Sequence, residues 1–86
     1  MDSYTIRFDR QVKKDFRSIS AQDIKRIKSA IQALSSNPRP NGCTKLKGSK
    51  DYYRIRVGSY RIVYSIEDEN LLILVVRVGH RRDVYR

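Results

Sequence analysis

Three arginines in one short segment are the residues of this sequence best suited to chemistry. Arg54, Arg56 and Arg61 lie on either side of Gly58-Ser59, a dipeptide typical of a two-residue hairpin turn. In such a hairpin Arg56 faces Arg61 directly, and Arg54 shares their face. Because opposed like charges destabilise a sheet, the pattern indicates a surface that binds a polyanion. Guanidinium groups stay charged and pair with two phosphate oxygens, so they also suit the stabilisation of a phosphorane.

The overall charge supports a polyanionic partner. The 86 residues include 19 Lys and Arg against 9 Asp and Glu, a formal net charge of +10. An excess of this size in so short a chain favours nucleic acid as the partner. Lys45, Lys47 and Lys50 precede the arginine hairpin, and flexible lysines suit sequence-independent contacts with an RNA backbone.

The sequence also argues against several classes of protein. Its length predicts a single domain, residues 1–86. Cys43 is the one cysteine, and no Asp, Glu or His residues cluster at metal-ligand spacing, so we expect neither a disulfide nor a metal or other cofactor. The first residues lack the apolar run of a signal peptide, and the longest apolar run, Leu71 to Val76, is too short to cross a membrane. We therefore expect a cytoplasmic protein.

The first half of the chain is predicted to form a strand and two helices. Tyr4–Phe8 alternates apolar and polar residues as a strand does. Asp9 and Ser20 are predicted N-caps, and Pro38 disfavours helix at the residue before it. The apolar positions at helical spacing are Val12, Phe16 and Ile19 in the first helix and Ile24, Ile27, Ile31 and Leu34 in the second.

The second half is predicted to be a loop, residues 37–51, followed by three antiparallel strands. Asp68-Glu69-Asn70 is interpreted as a three-residue turn with Asn70 in the left-handed conformation, and Leu71–Val78 as the last strand. That register places Arg77 opposite Arg61, whereas a two- or four-residue turn would direct Arg77 into the core. The predicted fold class is α+β, ordered β-α-α-β-β-β, with a helical hairpin packed on one face of a small antiparallel-meander sheet.

Four features in this order resemble the RelE family of bacterial and archaeal toxins, within the wider RelE/ParE superfamily. The resemblance covers nearly the whole chain. The features are the strand-helix-helix opening that ends in Ser36-Asn37-Pro38, then Lys45-Leu46-Lys47-Gly48, then the hairpin Tyr53-Arg54-Ile55-Arg56 with Tyr60-Arg61-Ile62-Val63-Tyr64, and last Val78-Gly79-His80-Arg81-Arg82-Asp83-Val84-Tyr85.

The resemblance implies the RelE-like microbial RNase fold and the toxin of a type II toxin–antitoxin system. It implies a ribosome-dependent endoribonuclease that cleaves mRNA in the decoding site by metal-independent attack of the ribose 2′-OH. Its partners would be a cognate antitoxin, mRNA and ribosomal RNA, with DNA bound only through the antitoxin complex and no membrane. The alternative within the superfamily is a ParE-like inhibitor of DNA gyrase without nuclease activity.

The resemblance also implies which residues act. Arg54 and Arg56 face the substrate, joined by Arg61 of the next strand and by Arg81 and Tyr85 near the C-terminus. Arg81 fits protonation of the leaving group or a phosphate contact. Arg77 and Arg82 are further candidates for RNA binding.

One departure from the family leaves the general base open. Related toxins carry lysines where this chain has Arg54 and Arg56, and an arginine is a poor base because its pKa lies above about 12. His80, the one histidine, and Tyr85 are the remaining titratable candidates. Tyr85 could alternatively stack on an RNA base or cap the core.

Overall fold

Two helices follow the first strand, and both begin at the predicted caps. The computed structural model describes residues 3–48 and 51–80. Helix α1 spans Arg10–Phe16, and the Asp9 carboxylate accepts a hydrogen bond from the Gln11 N–H at 2.9 Å. Helix α2 spans Ala21–Ala33, and the Ser20 hydroxyl accepts from the Asp23 N–H at 3.2 Å. Neither helix in this part of the chain is long and apolar enough to span a membrane.

Five strands form one mixed sheet in the described residues. They are β1 (Thr5–Phe8), β2 (Thr44–Lys45), β3 (Tyr52–Val57), β4 (Tyr60–Glu67) and β5 (Leu72–His80). The order across the sheet is β1-β5-β4-β3-β2, in which β1 pairs parallel to β5 and the other neighbours are antiparallel. The α+β class, the meander of the last three strands and the central place of β5 are thus confirmed. The sequence interpretation missed β2, because it assigned residues 37–51 to a loop.

The core lies between the two helices and one face of the sheet. Ile27, Ile31 and Leu34 of α2 are almost fully buried against Ile62 and Tyr64 of β4. Complete burial of such an aliphatic side chain contributes about 1.5–3 kcal/mol to the stability of the fold.

Tyr64 shows that polar atoms in this core are satisfied. Its hydroxyl donates to the Pro38 carbonyl at 2.8 Å and lies 3.4 Å from the Cys43 sulfur. Burial, followed by the contact with Cys43, raises the pKa of Tyr64 far above its usual value. This tyrosine therefore remains protonated and structural.

The β3–β4 hairpin has the register that the sequence predicted. Val57 pairs with Tyr60 across the Gly58-Ser59 turn, so Arg56 stands directly opposite Arg61. Gly58 has a φ of 58°, in the left-handed region that this turn needs and that glycine adopts without strain.

The β4–β5 connection differs from the prediction in two ways. Glu67 pairs with Leu72, so the turn contains four residues rather than three, and the positive φ of 50° belongs to Leu71 rather than Asn70. That register alone would direct Arg77 into the core. A β-bulge corrects it, because Tyr64 pairs with Val75 while Val63 pairs with Arg77.

The bulge leaves Val76 as the extra residue of β5 and returns Arg77 to the face away from the helices. The predicted pairing of Arg77 with Arg61 is therefore wrong, whereas its predicted face is correct. The physical reason is burial: Val75 and Val78 are both buried in the core, and two positions three apart can share one face of a strand only if a residue is inserted between them.

Candidate nucleic-acid interface

The side of the sheet opposite the helices carries arginines in two adjacent rows. Cross-strand pairing sets Arg54 and Arg77 on either side of Val63, and the next row sets Arg56 opposite Arg61. Gly79 is the β5 partner of Arg61 and has no side chain to cover it. We call this surface, formed by Arg54, Arg56, Arg61 and Arg77, the arginine face.

The four arginines differ in exposure. Arg61 is only 5% exposed, Arg54 and Arg77 are partly buried, and Arg56 is exposed. Charges act more strongly on each other where water is excluded, so Arg61 is the cation with the greatest potential effect on a nearby phosphate. The exposed Arg56 beside it can meet an anion from solvent.

Tyr52 extends the arginine face toward the start of β3. It pairs with Ser65 and is 40% exposed, two residues before Arg54 along the strand. Alternate residues of a strand share a face, so the Tyr52 ring lies on the same side as the arginines. An exposed ring at this place can stack on a nucleobase.

Arg77 is held by Asp15, a residue that the sequence interpretation did not single out. The Asp15 Oδ2 accepts hydrogen bonds from Arg77 Nε at 3.1 Å and from the Val78 N–H at 2.9 Å. A sequence signal for this contact exists, because Asp15 follows Val12 by three residues and so falls on the buried stripe of α1. An acid on such a stripe predicts a buried partner for its charge.

His80 lies away from the arginine face. It pairs with Tyr60, whose side chain belongs to the helix side of the sheet, and the two rings meet edge to face with centroids 5.9 Å apart. The Tyr60 hydroxyl donates to Asp23 Oδ2 at 3.2 Å, and partial desolvation followed by this bond raises the pKa of Tyr60. The structure therefore does not bring His80 together with Arg54, Arg56 and Arg61.

The lysines before the hairpin are also separate from the arginine face. Lys45 pairs with Tyr53, which places it on the helix side at the outer edge of the sheet, and Lys47 is exposed in the turn after β2. Four other predicted site residues lie outside the described residues, namely Lys50, Arg81, Arg82 and Tyr85.

An ion-pair network anchors the loop between α2 and β2 to the β4–β5 turn. Arg39 donates through both Nη atoms to the Asp68 carboxylate, at 2.9 and 3.3 Å, and through Nε to the Tyr53 hydroxyl at 3.2 Å. The Tyr4 hydroxyl donates to Asp68 at 2.7 Å. The bonds from Arg39 and then Tyr4 lower the pKa of Asp68, while the bond to Asp68 raises the pKa of Arg39.

The described acidic, histidine and cysteine side chains do not gather into a metal-binding arrangement. Within residues 3–48 and 51–80, no group of three or more His, Cys, Asp or Glu residues could hold a metal ion. The charged groups that the sheet assembles there are cationic.

Two helices packed on a five-stranded mixed sheet define the fold class of the RelE-type toxins. A structure of the toxin–antitoxin complex RelBE2 from Mycobacterium tuberculosis superposes with a TM-score of 0.83 at 27% identity, covering 96% of this chain and 97% of that one. The intact RelBE toxin–antitoxin complex of Escherichia coli gives a TM-score of 0.79 at 30% identity, covering 91% and 96% of the two chains.

Sequence comparison agrees with the fold. Residues 6–85 match the family described as the ParE toxin of the type II toxin–antitoxin system parDE. The mRNA interferase toxin RelE of Escherichia coli is 31% identical over 81 residues, which cover 92% of this chain and 84% of that protein. The chain therefore belongs to the RelE family, within the RelE/ParE superfamily of type II toxins.

Proposed function

We propose that this toxin is a ribosome-dependent endoribonuclease that cleaves mRNA in the decoding site and so inhibits translation. The observation that carries the proposal is the direct opposition of Arg56 and Arg61, with Arg54 in the adjacent row. A sheet shaped by stability alone would separate these charges, whereas a phosphodiester backbone would draw them together. The name of the Escherichia coli relative, an mRNA interferase, points to the same activity.

In the proposed reaction the ribose 2′-oxygen attacks the adjacent phosphorus. The new O–P bond forms as the bond from phosphorus to the 5′-oxygen breaks, which leaves a 2′,3′-cyclic phosphate and a 5′-hydroxyl. The proton of the 2′-OH passes to a base, and the departing 5′-oxygen receives a proton from an acid. Arg54, Arg56 and Arg61 bind the phosphate and stabilise the negative charge that develops on its oxygens.

The proton transfers fall to other groups, since guanidinium groups stay protonated. His80 projects to the helix side of the sheet, which speaks against a role as the base. Tyr85 is the proposed base, or a stacking partner for an RNA base, and Arg81 is the proposed acid or phosphate contact. Both assignments rest on the resemblance to related toxins.

The remaining basic residues are proposed to hold RNA rather than to react. Arg77 lies on the arginine face beside Val63 and can bind a neighbouring phosphate. Lys45 and Lys47 lie off that face, so their proposed partner is a second strand, such as ribosomal RNA. Lys50 and Arg82 are proposed to contribute to the same sequence-independent contacts.

A cognate antitoxin is the proposed protein partner, as in the toxin–antitoxin complexes that share this fold. An acidic or amphipathic antitoxin segment that covers the arginine face would block RNA. Its affinity should fall as salt rises, because exposed charges are screened within about 10 Å at 0.1 M salt. DNA would be bound only through the antitoxin complex, and the toxin would act in the cytoplasm as a single domain.

Primer extension on mRNA after brief expression in cells tests the proposed activity. Breaks in phase with the reading frame, absent from cells that express Arg61→Ala, are the expected result. Arg10→Ala is the matched control, because Arg10 is an exposed arginine at the start of α1, on the opposite side of the domain. Full translation arrest by a folded Arg61→Ala protein would refute the proposal.

The matched family description names ParE, so a gyrase inhibitor without nuclease activity is the second candidate. The same expression experiment separates the two. DNA-damage signalling with intact mRNA would favour the gyrase inhibitor, whereas cleaved mRNA without that signal would favour the nuclease.

A further inference from the structure

The place of Asp15 in α1 requires an explanation. Its side chain is only 7% exposed, and it lies one residue before the C-terminal end of the helix, where the helix dipole disfavours a negative charge. Burial of a carboxylate is costly unless it is hydrogen-bonded. Asp15 is fully engaged: Oδ2 accepts from Arg77 Nε and the Val78 N–H, and Oδ1 accepts from Gln11 Nε2 at 3.1 Å.

These contacts fix the direction of the Arg77 side chain. Strand β1 pairs with β5 only as far as Val75, so the edge of β5 is uncovered beyond that point and Asp15 occupies it. Arg77 uses Nε for Asp15, and neither of its Nη atoms has a hydrogen bond within residues 3–48 and 51–80. The Arg77 side chain is 40% exposed, so the outer half of its guanidinium can reach an external anion.

A cavity at this edge offers room for such an anion. It has a volume of about 420 Å³, and Arg77, Ser18, Gly79 and His80 contribute to its lining. Gly79 is also the cross-strand partner of Arg61. The cavity is therefore continuous with the arginine face at the one position of that row that lacks a side chain.

We infer that Asp15 is a positioning residue, which presents the Nη groups of Arg77 to a phosphate of the RNA strand next to the phosphate bound at Arg61. The inference rests on the proposed function, since it assigns a second phosphate subsite to the same RNA-binding face. Asp15 itself does not touch RNA. The subsite accepts any ribonucleotide, because it contacts the backbone and not the base.

The test is fluorescence anisotropy with a labelled single-stranded RNA whose 2′-O-methyl groups prevent cleavage, at about 50–200 mM KCl. Each lost phosphate contact lowers the slope of log K against log salt by about 0.7 for a single strand. Arg77→Ala and Asp15→Ala are each expected to lower the slope by one contact. In the Arg77→Ala background, Asp15→Ala should have no further effect, because both changes remove the same contact.

Two further variants separate positioning from stability. Gln11→Ala removes the hydrogen bond to Oδ1 and leaves Arg77 Nε in place, so its salt slope should match that of the unaltered protein. Asp15→Asn retains an oxygen for the Val78 N–H but loses the charge, and should lower the slope even if Asp15→Ala fails to fold. An equal loss of binding on Asp15 substitution with and without Arg77 would overturn the inference.

The Arg61→Ala protein distinguishes this inference from the proposed function. If Arg61→Ala lowers the salt slope while Asp15→Asn and Arg77→Ala do not, the second subsite is wrong and RNA binding at Arg61 stands. If the RNA does not bind to the unaltered protein, or Arg61→Ala changes nothing, the RNA-binding face itself is contradicted.

Discussion

Arg56 and Arg61 are direct cross-strand neighbours on β3 and β4, with no acidic residue between them in either strand row. The row also contains Gly79, so none of its three members is acidic. Opposed like charges are unfavourable by a few tenths to about 1 kcal/mol in a sheet. This hairpin is therefore less stable than its apolar face alone would make it.

Replacing Arg56 by threonine should stabilise the fold and impair the toxin. Relief of the repulsion, together with the strand preference of threonine, is expected to raise the free energy of unfolding by about 0.2–1 kcal/mol. Urea unfolding measures this. Arg7→Thr is the control, because Arg7 is an exposed strand arginine that pairs with Leu74 and not with a cation. Equal stabilisation by both changes would contradict repulsion at Arg56.

Arg61 should be the residue whose loss most reduces cleavage. Its nearly complete burial places the charge where water screens it least. Removal of one such stabilising donor commonly lowers the rate by about 10²–10³, and we expect Arg61→Ala to fall in that range on programmed ribosomes. Arg61→Lys should retain part of the activity, since lysine keeps the charge but loses the bidentate geometry. A rate for Arg61→Ala equal to that of Arg10→Ala would contradict the assignment.

His80 should contribute little to catalysis. It projects to the side of the sheet where Tyr60 lies, away from the arginine face. A general base typically contributes about 10²–10⁴ in rate, so His80→Gln is expected to lower the cleavage rate by far less than that. The pH dependence of the rate should also keep its shape. Loss of a titration near neutral pH in this variant would restore His80 as the base.

The Arg39–Asp68 ion pair should make stability depend on pH in the acidic range. The bond from Arg39 lowers the pKa of Asp68 in the folded protein, so its contribution is present above the unfolded pKa of about 3.9 and is lost as the pH falls through the folded value. Asp68→Asn should therefore destabilise the protein at pH 7, and the difference should disappear in strong acid. Thermal unfolding across this range measures it, with Glu69→Gln in the same turn as the control.

Local chemistry explains which parts of the fold could be predicted. The helix caps Asp9 and Ser20 and the Gly58-Ser59 turn act within a few residues, and the structure matches them. The same turn fixed the opposition of Arg56 and Arg61, so the heart of the arginine face was predictable from the sequence.

Features set by distant contacts were not predictable in this way. The parallel pairing of β1 with β5 joins residues more than sixty positions apart. The contact of Asp15 with Arg77 likewise depends on how α1 meets the edge of β5. His80 seemed close to the arginines along the chain, but strand alternation turned it to the other side of the sheet.

The bulge at Val76 has a consequence for how β5 tolerates substitution. Its buried positions are Ile73, Val75 and Val78, so the spacing changes from two to three in the middle of the strand. A saturation scan of β5 should therefore reveal two phases of tolerance that join at residue 76. Natural variation along this strand should keep the same offset, and a simple odd–even rule would misassign every position of its second half.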